Sequence, residues 1–390
     1  MAVRFSPNVA SLTPSPTLAL AARARELEAA GRSVIDLSAG EPAFGTPAFA
    51  ARGGIEAIES GHTGYPPTRG IPELRQAIVD YLDQTTAHPS ADIGSVLVSA
   101  GVKQALHNCI TCLFGPGDEV LVPAPYWPTY PSLVELAGAR PVVVETRWDD
   151  GFLADVELLE THRTEKTRGL LLNSPCNPTG AVYDRRRLGE IIAWCGEHRL
   201  WLLSDEIYRR LHYARGAAPS VWDVEDRPDH VVLLDGVSKA LCMTGWRIGF
   251  AAGPRGLIDR ATDYQSQTTS GAVTPSQHAA AAALGRSVER ETAIRDLLAR
   301  LARCRQIGME SLSEVEQLAV REPAGAIYFY ARLRDGSPSL DTAERLLMEG
   351  GVAAIPGEPF GSPGHLRFSF AVHEETLVQG MERVRSFFRA

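Results

Sequence analysis

No stretch of this sequence reaches the ~18 apolar residues that would span a bilayer. Its start, Met1-Ala2-Val3-Arg4-Phe5-Ser6-Pro7, has no apolar core of the kind a secretory signal carries. A cytoplasmic location is therefore expected. Basic residues are outnumbered, with 39 Lys and Arg against 47 Asp and Glu, and the formal net charge is −8. No run of them builds a stripe that could track a phosphate backbone, which argues against nucleic acid as the main partner. Cysteine is scarce at 6 residues, and the one CxxC, Cys109-Ile110-Thr111-Cys112, lies inside an apolar helical pattern without a second CxxC or a His pair. Buried thiols are expected there, and neither disulfides nor a metal. What the chain does have is 44% hydrophobic and 22% charged residues, the balance of a globular protein.

At 390 residues the chain exceeds one ordinary core, so two domains are expected. Thr17 to Ala30 reads as an Ala-rich helix stopped by Gly31, followed by a short strand at Val34-Ile35-Asp36-Leu37. Helical stretches near 47–60, 72–85, 102–114, 128–138 and 184–198 then interleave with apolar runs at 96–98, 119–122, 141–145, 169–173, 200–204, 231–235 and 248–252. This alternation predicts an α/β fold with a mainly parallel seven-stranded sheet covered by helices, whose ligands gather at the carboxyl ends of the strands. A long charged helical tract from about 283 to 313 leads into short strands at 326–331, 352–355 and 365–370, marking a smaller α+β domain.

Three of the apolar runs end in reactive groups. Leu233-Leu234-Asp235-Gly236-Val237-Ser238-Lys239 delivers an amine into a turn, and Met243-Thr244-Gly245-Trp246-Arg247 adds a guanidinium shortly after. An amine can hold an aldehyde cofactor covalently, while an Arg fork grips its anionic tail. Leu202-Leu203-Ser204-Asp205-Glu206-Ile207-Tyr208 ends in a carboxylate and then a phenol. Such a carboxylate keeps the ring nitrogen of pyridoxal phosphate protonated, which makes the ring an electron sink. Leu170-Leu171-Leu172-Asn173-Ser174-Pro175-Cys176-Asn177-Pro178 holds the Asn177 amide in a turn between two prolines. Ser99-Ala100-Gly101-Val102-Lys103 runs from a strand into a helix, so the amides of Gly101, Val102 and Lys103 can face a phosphate, with Ser238 and Arg247 adding a hydroxyl and a charge.

In this order, together with Ser38-Ala39-Gly40-Glu41-Pro42, Tyr65-Pro66-Pro67-Thr68-Arg69-Gly70 and His365-Leu366-Arg367-Phe368-Ser369, these segments resemble the class I aminotransferases of the pyridoxal-phosphate fold type I group. The resemblance covers nearly the whole chain. It implies a large cofactor-binding domain over 46–284 and a small domain made of 1–45 and 285–390. It also implies pyridoxal 5'-phosphate as cofactor and ping-pong transfer of an amino group between an amino acid and a 2-oxo acid, through a Lys239 aldimine. Lys239, Asp205 and Tyr208 would be catalytic. Asp205 would pair with the ring nitrogen, Tyr208 and Asn177 would bond the phenolic oxygen, and Trp127 would stack on the ring. Arg367 would bind the substrate α-carboxylate beside the backbone of Gly40. Tyr65 resembles the family tyrosine that reaches the phosphate from a neighbouring subunit, implying a homodimer with shared sites.

Substrate choice needs a second contact, because every amino acid has an α-carboxylate. Val102-Lys103-Gln104-Ala105-Leu106 is similar to the GKQAL pattern whose Lys contacts a distal carboxylate in an aspartate aminotransferase subgroup, with Val in place of Gly. Aspartate and glutamate are thus expected, and prephenate is an additional candidate; the alternative role for Lys103 is a cation near the phosphate. Gly40-Glu41-Pro42-Ala43-Phe44 departs from the frequent GEPDF, and Leu12-Thr13-Pro14-Ser15-Pro16-Thr17 lacks a basic residue found in some relatives. Both changes leave aromatic or other amino acids open as substrates. A lyase or oxidase on the same scaffold remains a competing reading. A non-catalytic ligand sensor is disfavoured because Lys239, Asp205 and Arg367 are all present and the chain starts directly on the small-domain helix.

Overall fold

The protein is described from a computed structural model, covering residues 16–88, 92–224 and 228–389 together with Phe5 and Val9. The N-terminal departure at Leu12-Thr13-Pro14-Ser15 lies outside these residues. The strands, in chain order, are β1 (Ile35–Asp36), β2 (Val96–Ser99), β3 (Glu119–Ala124), β4 (Arg140–Glu145), β5 (Thr167–Asn173), β6 (Trp201–Asp205), β7 (Val231–Gly236), β8 (Gly249–Ala252), β9 (Leu318–Val320), β10 (Tyr328–Leu333), β11 (Val352–Ala353), β12 (Ile355–Pro356) and β13 (His365–Ser369).

Seven of these form one sheet in the order β2-β8-β7-β6-β5-β3-β4. Leu170, Leu171 and Leu172 in β5, like Leu233 and Leu234 in β7, are buried on both faces, which is why these segments read as unbroken apolar runs. Helices cover the sheet, several with local start signals. Asp155 accepts the Leu158 N–H and Asp184 the Arg187 N–H as N-caps, and Pro72 opens the helix Pro72–Thr85. The pairings β3–β4, β3–β5, β5–β6 and β6–β7 are parallel, whereas β8 is antiparallel to both β2 and β7. The reversed β8 therefore begins at the edge where its neighbours end. Asp205 pairs with Asn173 and Leu234, and Gly249 with Ser99 and Gly236, so these residues line one rim of the sheet.

A second sheet, ordered β12-β13-β10-β9, is antiparallel throughout and carries Arg367 in its middle. The N–H of Ser369 donates to the carbonyl of Leu37 at 2.7 Å, which leads the segment Ser38–Gly40 past Arg367. β1 pairs in parallel with β11. The charged tract expected over 283–313 is divided: Arg286 has a non-helical ψ of 80° and separates the helices Thr274–Gly285 and Ser287–Ser313. The first of these packs on the helix Ala48–Glu59 through small residues, since a Cβ on Gly53 would come within 2.7 Å of the Ala282 methyl. Ala and Gly carry no strong hydropathic period, which hides such a contact from a pattern reading. Cys109 is fully buried in the helix Val102–Leu113, but Cys112 is only partly buried, a correction to the expectation of two buried thiols. Among the described residues no helix is long and apolar enough to cross a membrane.

Candidate active site

The strand-end rim, the segment Ser38–Gly40 after β1, and Tyr328 and Arg367 of the second sheet enclose a cavity of about 360 Å³. Of the residues expected to form a site, Gly40, Val102, Lys103, Trp127, Asn177, Asp205, Tyr208, Ser238, Lys239, Arg247 and Arg367 all line it. Gly101 stands directly behind, as N-cap of the helix Val102–Leu113 with φ +88°, a conformation that suits glycine. Tyr65 does not reach the cavity of its own chain. It is 98% exposed.

Lys239 projects from the turn after β7, and its Nζ donates to the carbonyl of Gly40 at 2.6 Å. Desolvation lowers its pKa to about 8, with Arg367 and Arg247 adding repulsion that Glu41 and Asp205 partly offset. Asp205, at the end of β6, is buried, and burial pushes its carboxyl up to about 6 although the Tyr130 hydroxyl and the Ile207 N–H pull it down. Tyr130 donates to its Oδ2 at 2.8 Å. At neutral pH the carboxylate therefore stays ionised. Asn173 stitches the neighbouring turns together, its Nδ2 donating to the Asp205 carbonyl and its Oδ1 accepting the Asn177 N–H, both at 2.8 Å.

Arg367 is almost wholly buried and is held by its two ends: Nη1 donates to Asn177 Oδ1 at 2.9 Å and Nη2 to the Ser38 carbonyl at 2.6 Å. Its Nε has no partner among the described residues. A buried guanidinium N–H without an acceptor is costly unless a ligand supplies one, and a carboxylate is the natural match. Lys103 lies with its Nζ 4.9 Å from the Trp127 ring centroid. Burial, then Arg247, lowers its pKa, and no carboxylate of the described residues pairs with it.

On the side of the cavity at Gly101 and Arg247 the chain leaves room for an anion. The first N–H groups of a helix have no acceptor within it, and Gly101 offers no side chain to cap those of Val102–Leu113. A Cβ on Gly101 would collide with the Arg247 guanidinium, and one on Gly249 with the backbone of Val102. Backbone, guanidinium and the Ser238 hydroxyl thus crowd into a cradle that only glycine permits. Arg247 itself holds φ +56°, a strained value for a side-chain-bearing residue, with Nη1 on the Thr244 carbonyl at 2.9 Å. An amine, a flat aromatic wall, a buried carboxylate and an anion cradle in one cavity fit pyridoxal 5'-phosphate.

Several lining residues escaped the sequence reading: Ser38, Asn173, Tyr130, Thr244 and Tyr328. Asn173 was within reach, as the last residue of an apolar run just before a proline turn. Tyr130 and Tyr328 stand 75 and 120 residues from the side chains they bond, and no local pattern announces such pairs.

Sequence comparison matches residues 32–384 to the family described as aminotransferase class I and II. An aspartate aminotransferase of Streptomyces avermitilis is 40% identical over 98% of this chain and 96% of its own. A bifunctional aspartate aminotransferase and glutamate/aspartate-prephenate aminotransferase of Petunia hybrida is also 40% identical, over 98% of this chain and 82% of its own. The solved structure of an aspartate aminotransferase from Thermus thermophilus with maleate superposes with a TM-score of 0.95 at 37% identity, covering 99% of this chain and 100% of that one.

Proposed function

The chain belongs to the class I and II aminotransferases and is a pyridoxal-phosphate-dependent aminotransferase, and from that premise we propose that it moves amino groups between aspartate or glutamate and their 2-oxo acids. The observation that carries the reading is the convergence of Lys239, Asp205, Arg367 and Lys103 on one cavity. When bound, pyridoxal 5'-phosphate supplies an electron sink for charge developing at the substrate α-carbon. Lys239 anchors it, and the freed amine then carries the proton at the substrate α-carbon. Asp205, oriented by Tyr130, sets its negative charge against the ring nitrogen. Asn177 and Tyr208 donate toward the phenolic oxygen, and Trp127 offers its face to the ring. Ser238, Arg247 and the amides of Gly101, Val102 and Lys103 hold the phosphate. Arg367 takes the α-carboxylate beside Gly40.

The names of the relatives support dicarboxylic substrates, and Lys103, which pairs with no carboxylate of the described residues, is a cation suited to a second carboxylate. The Petunia relative's name adds prephenate, which also has two carboxylates. With this reading goes a large domain over 46–284, a small domain of 1–45 and 285–390, a cytoplasmic location and a homodimer in which the exposed Tyr65 reaches the partner's phosphate site. The test is a half-reaction screen: each amino acid is added to the loaded enzyme and loss of the cofactor's visible absorbance is followed. Aspartate and glutamate should react fastest, and faster conversion by aromatic or neutral amino acids would overturn the assignment.

Lys103→Ala should remove ~2 kcal/mol or more of transition-state binding for aspartate and glutamate, the scale of a lost charge-assisted pair. Alanine and phenylalanine should be little affected. The ratio of kcat/KM for acidic over neutral substrates in both proteins is the readout. An equal fall for all substrates would move Lys103 into the phosphate cradle.

The lowered pKa of Lys239 has a kinetic signature, because only an unprotonated amine attacks an aldehyde. With a pKa of about 8 rather than the ordinary 10.5, about a tenth of the amine is free at pH 7. Uptake of pyridoxal 5'-phosphate by the apo-protein, followed by absorbance, should accelerate from pH 6 and level off above about pH 8. A rate still climbing through pH 10 would contradict the burial effect.

A further inference from the structure

Tyr328 is the first residue of β10 and is completely buried. Tyr330 lies directly opposite Arg367 on β13, so Tyr328, two residues away on the same face, is its diagonal neighbour. The Arg367 Cζ accordingly sits 4.3 Å from the Tyr328 ring centroid, with the Phe360 ring on another side at 5.2 Å. At its other end the Tyr328 hydroxyl is 2.8 Å from that of Tyr208. One phenol thus touches both the carboxylate clamp and a group at the cofactor end of the cavity.

We propose that Tyr328 is a positioning residue that holds the Arg367 guanidinium by its ring and directs the Tyr208 hydroxyl by its own. The inference rests on the cofactor-binding reading of Tyr208 given above. Each hydroxyl has one proton. When Tyr328 donates to Tyr208, the Tyr208 proton is left to point into the cavity, and the donated bond polarises Tyr208 into a stronger donor. Among the described residues the groups facing Tyr208 include Tyr328, Arg367, Asp205, Lys239 and Tyr130. None of the other four takes over the role, since Arg367 is bonded to Asn177 and Ser38, Tyr130 donates to Asp205, and Lys239 donates to Gly40.

A hydrogen bond donated to the bound cofactor's phenolic oxygen favours its anionic form and lowers the pH midpoint of the visible absorbance. Titrating that absorbance in holoenzymes of wild type, Tyr328→Phe and Tyr208→Phe reads the hydroxyl. Titrating succinate, an unreactive dicarboxylate, into wild type, Tyr328→Phe and Tyr328→Leu reads the ring. Tyr328→Phe should raise the midpoint by about 0.5 unit and leave succinate affinity within about twofold. Tyr328→Leu should weaken succinate about fivefold or more. A midpoint that Tyr208→Phe raises but Tyr328→Phe leaves unmoved or lowers would overturn the Tyr328 role alone. A midpoint insensitive to Tyr208→Phe would remove the reading of Tyr208 and this inference with it. Undiminished succinate binding by Tyr328→Leu would overturn the part played by the ring.

Discussion

Replacing Lys239 by alanine is expected to cut turnover of aspartate with 2-oxoglutarate by about 10⁴-fold or more, the scale of losing both a positioned nucleophile and a proton carrier. Lys239 lines the cavity beside Asp205 and Tyr208, and its Nζ already points across to the Gly40 carbonyl. Lys103, the other amine on the lining, lies over the Trp127 ring. Pyridoxal 5'-phosphate should still bind, because the cradle of Arg247, Ser238 and the helix N-terminus owes nothing to Lys239. Equilibrium dialysis of the cofactor alongside steady-state rates separates the two effects. Turnover near that of wild type would remove Lys239 from the mechanism.

The second large effect is expected at Asp205. Asp205→Ala should lower kcat by about 10²–10³-fold, comparable to removing a preorganised electrostatic contact, and change KM by no more than a few-fold. The carboxylate is buried in the cavity wall and bonded by Tyr130, whereas Arg367 is held by Asn177 and Ser38, so the substrate clamp does not hang on it. Removing it leaves the ring nitrogen without a counter-charge and the electron sink weakened. A variant in which only KM rose would reassign Asp205 to substrate binding.

Lys239, Asp205 and Asn177 were legible in the sequence because each follows an uninterrupted apolar run, and a strand buried on both faces can end only where the chain returns to a rim. The same logic located the turn into the helix Val102–Leu113. Tyr130 and Tyr328 were not legible, since their partners depend on which strands become neighbours and how the second sheet meets the first. The orientation of β8 was hidden too. A four-residue apolar strand reads alike in either direction. The division at Arg286 was missed because the Ala-rich run before it and the charged run after it both keep a helical character, and only the backbone angles of one residue separate the two helices.

The reversal of β8 has a mechanical consequence. Had β8 run parallel to β7, a helix would have to cross between them, and Lys239 and Arg247 would belong to separate loops. As an antiparallel neighbour it is reached directly, so both residues sit on the single connection 237–248, pinned at each end by adjacent strands. The reach from the Lys239 amine to the Arg247 guanidinium is thereby gauged locally, like a fixed jaw. Arg367 hangs from the other sheet. A tilt between the two sheets would open or shut the grip on the substrate while leaving the connection that carries Lys239 and Arg247 in place.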